Sequence, residues 1–198
     1  MKRHSIVTER RAEKIKYVLE HRQPDLTVVL ENIHDPHNVS AILRSADAVG
    51  VKEVFLVYNT EEFPKLGKKS SASALKWVDK QKFSSISECY DYLRNEGFKI
   101  YATHLTDESV SLYDLNLTEK VAFVFGNEHT GVSSEAATLA DLNFKIPMYG
   151  MIQSLNVSVA CAVSLYEALR QRLKKGDYNK SKIKQKELKL LFDNWTKR

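Results

Sequence analysis

Five side chains carry most of the chemistry this 198-residue chain has to offer: Asn38, Arg44, Glu128, Ser154 and Asn156. They fall in three polar runs, Pro36-His-Asn-Val-Ser-Ala-Ile-Leu-Arg44, Phe125-Gly-Asn-Glu-His-Thr-Gly-Val132 and Ile146-Pro-Met-Tyr-Gly-Met-Ile-Gln-Ser-Leu-Asn-Val-Ser158. An arginine offers a planar fork of donors that fits a phosphate or carboxylate. Glu128 offers a carboxylate, and the two asparagines offer both donors and acceptors. Each residue also has a plain structural role open to it. Arg44 can pair with Asp47 at i+3 on one helix face. Asn38 can satisfy a first helical turn, Glu128 can be a solvated loop acid, and Ser154 and Asn156 can cap a helix. Their company favours function, because each run enters or leaves a regular element. Loops at one end of a parallel α/β sheet converge, and ligands bind there.

Other chemistries are absent. Gly126-Asn-Glu-His-Thr-Gly131 has the glycine spacing of a phosphate loop, but Val132-Ser133 follows where Lys-Ser is needed. No Gly-x-Gly-x-x-Gly follows the first strand, and no Gly-x-Ser-x-Gly elbow exists for a hydrolase. His34 and His37 flank a turn without further ligands nearby, so no metal is expected.

The elements that must position these runs follow from periodicity. Residues 8–22 form a helix with Ala12, Ile15 and Leu19 on one face. Leu26-Thr-Val-Val-Leu30 is a strand. Residues 36–49 form a helix with Pro at its start and Gly50 beyond its end. Further strands fall at 53–57, 99–102, 121–125 and 143–146, with helices at 86–95, 133–139 and 155–173. Gly67-Lys-Lys-Ser-Ser-Ala-Ser73 reads as a mobile polar loop. A basic segment, 180–195, carries Ile183, Leu188, Leu191 and Phe192 at the spacing of an amphipathic helix that docks. Apolar strands alternating with helices give an α/β fold, a mainly parallel sheet covered by helices on both faces, with helical N- and C-terminal extensions. The units are a basic N-terminal helix (1–24), the α/β domain (25–175) and a basic helical tail (176–198).

Charge is distributed by region. Residues 1–22 carry seven Lys/Arg against three Glu, and residues 170–198 carry eleven against three acids, whereas the middle is net acidic. Two basic ends on an acidic body suit a polyanion, and nucleic acid is the natural one. With 43% hydrophobic residues the chain can bury a sizeable core. No apolar run is long enough to span a membrane, and the basic N-terminus lacks the apolar stretch of a signal peptide. Cys89 and Cys161 read as reduced thiols of a cytoplasmic protein.

The three runs, in this order, resemble the three signature motifs of the SpoU branch of the SPOUT methyltransferases. Within it the chain is most similar to the TrmH-type tRNA guanosine 2′-O-methyltransferases. Arg22-Gln-Pro-Asp-Leu-Thr27, Ala102-Thr-His-Leu-Thr106 and Ser154-Leu-Asn-Val-Ser-Val-Ala160 support that placement, and the resemblance covers residues 8–175. It implies a C-terminal trefoil knot (the SPOUT, or α/β knot, fold) and S-adenosylmethionine as cofactor. It further implies a homodimer and a D-loop guanosine of tRNA as substrate. By match, Arg44 is the catalytic arginine, supported by Asn38, Glu128, Ser154 and Asn156. Thr103, Gly126, Ile146, Met148 and Leu155 surround the cofactor, and Arg10, Arg11 and Arg170 contact RNA. A ribosomal RNA methyltransferase of the same branch, or a non-catalytic RNA-binding module, are the alternatives. The single helix before the first strand favours tRNA, and the intact polar set favours catalysis.

Overall fold

The computed structural model describes residues 7–60, 62–65 and 74–198. The polar loop expected over 67–73 lies outside them. Seven parallel strands form one sheet in the order β3-β2-β1-β6-β4-β7-β5. They are β1 (Leu26–Glu31), β2 (Glu53–Val57), β3 (Asp79–Phe83), β4 (Lys99–Thr103), β5 (Val110–Ser111), β6 (Val121–Phe125) and β7 (Leu142–Lys145). The helices are α1 (Glu9–Glu20), α2 (Pro36–Ala48), α3 (Ala74–Trp77), α4 (Ile86–Asn95), α5 (Ser134–Leu139), α6 (Val157–Lys175) and α7 (Gln185–Trp195).

Strand alternation assigns the two faces. Leu26, Val28 and Leu30 of β1, with Val121, Phe123 and Phe125 of β6, pack against Ile42, Leu43 and Ala46 of α2 and Cys161, Leu165 and Ala168 of α6. Their neighbours Val29, Ala122 and Val124 point the other way, onto Ile86, Cys89, Tyr90 and Leu93 of α4 and Ala136 of α5. Both cysteines are free and buried. A strand buried on both sides must be apolar at every position, which is why β6 reads Val-Ala-Phe-Val-Phe.

The polar chain ends are used structurally. The helix α2 begins at Asp35, whose side chain accepts from His37 N at 2.8 Å, with Pro36 in the first turn. It ends at Gly50, which has φ +85° and sits so close to His21 that a Cβ would lie 2.7 Å from that carbonyl oxygen. Only glycine fits there.

Two extensions close the fold. Ile15 and Leu19 of α1 pack with Trp195 of α7, and Leu188, Leu191 and Phe192 join them. The amphipathic terminal helix thus docks on the N-terminal one. Two arginines tie the connection between α1 and β1 to the body. Arg172 is wholly buried and donates to Asp25 Oδ1 (2.5 Å), Gln23 Oε1 (3.2 Å) and the carbonyls of Leu117, Glu119 and Asp25. Arg22, also buried, donates to Asp47 (2.6 Å) and to the carbonyls of Val51 and Trp77, and it lies 5.2 Å from the centroid of the Trp195 ring.

Candidate active site

The loops that follow β1, β6 and β7 meet beyond the carboxyl ends of the strands. There a run of hydrogen bonds joins all three polar segments. Asn156 Nδ2 donates to Asn38 Oδ1 at 3.0 Å, and Asn38 Nδ2 donates to Glu128 Oε1 at 2.8 Å. The carboxylate also accepts from His34 N and Asp35 N, each at 3.1 Å. Burial alone would raise the Glu128 pKa. Hydrogen bonds from Asn38 and from the backbone N–H groups of His34, Glu128 itself and Asp35 outweigh that and hold it below the ordinary value. An ionised carboxylate only accepts, so Asn38 must turn its NH2 toward it and its oxygen toward Asn156. One charge therefore sets the direction of both amides.

Local sequence places each member. Asn38 enters on the first turn of α2 and is 7% exposed. Asn156 caps α6, its Oδ1 accepting from Ser158 N at 2.8 Å. Glu128 sits in a loop that folds back on itself after β6. Gly126 permits this, since a Cβ there would lie 2.1 Å from Gly131 O. Asn127 Nδ2 reaches across to Asn32 O at 2.8 Å and ties the loop to the end of β1. Asn32 has a left-handed φ of 49°, which asparagine tolerates better than most residues. Sequence reasoning weighs His34 only as half of a histidine pair flanking Asp35-Pro36, and it passes over Asn32 and any part for Asp35 in the site. Asp before Pro at a helix start was the available signal for the last of them.

Arg44 stands apart from this cluster. It is exposed, on the outward face of α2 with His37, Ala41 and Ala48. Six residues along a helix place it about 9 Å from Asn38 and about 120° around the axis. It has no hydrogen bond or ion pair among the described residues. The pairing with Asp47 open from sequence does not form, because Asp47 is taken by Arg22. Ser154 is exposed as well, and the cap of α6 is Asn156 rather than Ser154.

A neighbouring cavity of about 170 Å³ lies at the ends of β4 and β7. Its wall includes Thr103, Ile146, Met148, Ser154 and Leu155. Four of the five residues expected around the cofactor are thus brought together. Gly126 does not line it. The Thr103 hydroxyl is committed to Val124 O at 3.0 Å, and His104, Lys145 and Gln153 add polar groups to a wall that is otherwise largely apolar. Of the expected RNA contacts, Arg10 and Arg11 are exposed on α1. Arg170 is exposed but holds Glu167 through two contacts of 2.8 Å.

The sequence profile described as the SpoU rRNA Methylase family matches residues 25–166, more than half of the chain. The chain belongs to that family. It is 46% identical over 191 residues to the tRNA (guanosine(18)-2′-O)-methyltransferase of Thermus thermophilus, covering 96% of this chain and 98% of the relative. Among solved structures it resembles the A. aeolicus TrmH/SpoU tRNA modifying enzyme, with a TM-score of 0.90, 39% identity and 96% and 97% of the two chains covered. The SpoU methyltransferase AviRb from Streptomyces viridochromogenes, solved in complex with the cofactor AdoMet, matches at a TM-score of 0.66 and 28% identity, over 78% of this chain and 59% of its own. SpoU methyltransferases use S-adenosylmethionine, and the cavity's lining, apolar Ile146, Met148 and Leu155 with polar Ser154 and Gln153, suits part of that cofactor. Membership also implies the trefoil knot expected from the sequence. The seven-stranded parallel sheet with helices on both faces agrees with the expected fold class.

Proposed function

We propose that this SpoU methyltransferase transfers a methyl group from S-adenosylmethionine to the ribose 2′-hydroxyl of guanosine 18 in the D-loop of tRNA. The observation that carries the reading is the Asn156–Asn38–Glu128 chain, which joins the three motifs at the sheet end beside the cavity. The family profile is named for ribosomal RNA. The Thermus tRNA enzyme, however, is matched over 98% of its length, and the two basic ends suit a free polyanion.

When bound, the cofactor supplies a methyl group activated on a positively charged sulfur. Thr103, Ile146, Met148 and Leu155 would hold it, the apolar wall excluding water from the methyl. Glu128 and the two asparagines fix the loops around it. A ribose hydroxyl is a weak nucleophile and must lose its proton as it attacks. A guanidinium does not give up its own proton in proteins, so Arg44 is a poor base. It is a good bidentate clamp for the phosphate beside the reacting ribose, and that phosphate oxygen can take the proton. Exposed and without a partner among the described residues, Arg44 is free for this task.

The working unit in this reading is a homodimer. Tyr149 and Met151 are each 99% exposed, next to Ile152, and Val159, Tyr166 and Leu173 line α6 at seven-residue spacing. Such an apolar stripe suits a second copy. A partner would also bring an Arg44 to a site whose own Arg44 points elsewhere. No helix among the described residues is long and apolar enough to cross a membrane, and we assign the enzyme to the cytoplasm with its tRNA. This scheme calls on no metal.

The test is incubation of tRNA with the protein and labelled cofactor, followed by nuclease digestion and mass spectrometry. The expected product is 2′-O-methylguanosine from the D-loop. A methyl group on a base, or transfer to ribosomal RNA alone, would overturn the assignment.

A further inference from the structure

A second cavity, of about 470 Å³, opens between α1, α3 and the end of α7. It uses none of the groups assigned to catalysis. Arg11 and Lys14 of α1, Lys76 of α3 and Arg198 at the terminus contribute four cations to its wall. Asp47 is the acid that lines it, and its charge is already met by Arg22 at 2.6 Å. Arg11, Lys14 and Lys76 make no ion pair among the described residues. The Arg198 guanidinium reaches Asp79 at 3.7 Å.

The rest of the wall is apolar: Ile15 and Val18 of α1 with the rings of Trp77 and Trp195. Trp77 and Trp195 lie with ring centroids 4.8 Å apart. Trp195 is 4% exposed, yet its buried indole Nε1 has no acceptor among the described residues. That nitrogen is shut off from solvent, so it is the ring faces rather than the N–H that the cavity can offer a ligand. Unpaired cations beside an aromatic ring complement a nucleotide, whose phosphate meets the cations while its base offers a π-face. A docking site for an acidic peptide would need the cations alone and would not use the rings.

We infer that this cavity holds one nucleotide of the bound tRNA, its phosphate on Arg11, Lys14 and Lys76 and its base against Trp77. The inference rests on the tRNA reading above. Asp47 in the cavity wall and Arg44 lie three residues apart on α2, about 4.5 Å along its axis. A strand anchored here would therefore approach the proposed phosphate clamp along one helix.

Trp77 and Trp195 are the chain's two tryptophans, so emission excited beyond the tyrosine absorption band reports from this cavity alone. The full chain is titrated with tRNA, with guanosine monophosphate and with inorganic phosphate. The expected result is saturable quenching by tRNA and by the nucleotide. The double variant Lys14→Ala/Lys76→Ala should need several-fold more of either ligand and should lower the salt slope of tRNA binding by about one per lysine. Its melting temperature should match wild type, because both lysines are exposed. Unchanged emission at saturating tRNA, with methyl transfer intact, would overturn the site and leave the enzymatic reading standing. Full quenching by inorganic phosphate, with nothing added by the base, would overturn it in favour of a bare anion site. Quenching by tRNA and nucleotide without methyl transfer would uphold the site and remove the enzymatic reading.

Discussion

Replacing Arg44 separates catalysis from scaffold. In the folded chain its guanidinium has no partner among the described residues, and Asp47, its natural helix neighbour, belongs to Arg22. Arg44→Ala therefore removes no hydrogen bond or ion pair among the described residues, and the stability change should stay within about 0.5 kcal/mol. For a chain of this size that is a shift of roughly 1–2 °C in melting temperature. The rate should behave otherwise. If the fork stabilises charge that develops as the hydroxyl attacks, its loss resembles removal of one preorganised donor, on the order of 10²–10³ in turnover. Affinity for tRNA and cofactor should change far less, because the interaction is strongest in the transition state. Arg44→Lys keeps the charge without the planar fork and should recover little. Asp47→Ala is the counterpart: it strips the carboxylate from buried Arg22 and should cost about 1–3 kcal/mol while sparing the chemical step. Single-turnover rates, both affinities and thermal melts on the three variants settle the matter. Near-wild-type turnover by Arg44→Ala would refute the reasoning, and so would a loss of stability in that variant equal to that of Asp47→Ala.

Arg10→Ala/Arg11→Ala should weaken tRNA binding and flatten its dependence on salt, since each lost phosphate contact keeps about one counterion on the RNA; filter binding across a salt series reads this, and cofactor affinity should hold. Arg172→Met should destabilise the fold by about 3 kcal/mol in urea unfolding, at the low end for a broken buried pair because Lys182 still holds Asp25 at 2.6 Å. Glu128 has a folded pKa below its unfolded one, so its contribution is present above about pH 4.5 and is lost as pH falls through the folded value. The stability gap between wild type and Glu128→Gln should accordingly be widest near neutrality and shrink in acid, and a gap that widens in acid would reverse the sign.

The parts of this molecule readable from sequence are those where one rule dominates. The strand β6 is apolar throughout because both faces are covered, and α2 announces itself through Pro36 and Gly50. Asn38, Glu128 and Asn156 were found by motif, and the structure joins them in one hydrogen-bonded chain. The strand β3, Asp-Lys-Gln-Lys-Phe, went unread because it is an edge strand whose alternating polarity resembles a loop, and β5 is only two residues long. Buried arginines were the larger gap. Arg22 and Arg172 sit in basic stretches that read as solvent-facing, and only the fold supplies the carbonyls and acids that satisfy them. The docking of α7 was expected from its apolar spacing, but its partner, α1, lies at the other end of the chain and leaves no local trace.

The hydrogen bonds of the polar cluster bridge residues far apart in sequence: 90 between Asn38 and Glu128, 94 between His34 and Glu128, and 118 between Asn38 and Asn156. The strand β1, made early, pairs with β2 close by and with β6 nearly a hundred residues later. Such pairings pay their loop-closure entropy before any contact rewards it, so they form slowly. During synthesis the nascent chain must extend past Asn156 before the last amide can close the cluster. The carboxylate of Glu128 arrives before its final partner and waits in a loop already pinned to the end of β1 and the start of α2. Catalytic competence is then among the last properties this chain acquires, and the recovery of methyl transfer after dilution from denaturant should lag the return of helical signal.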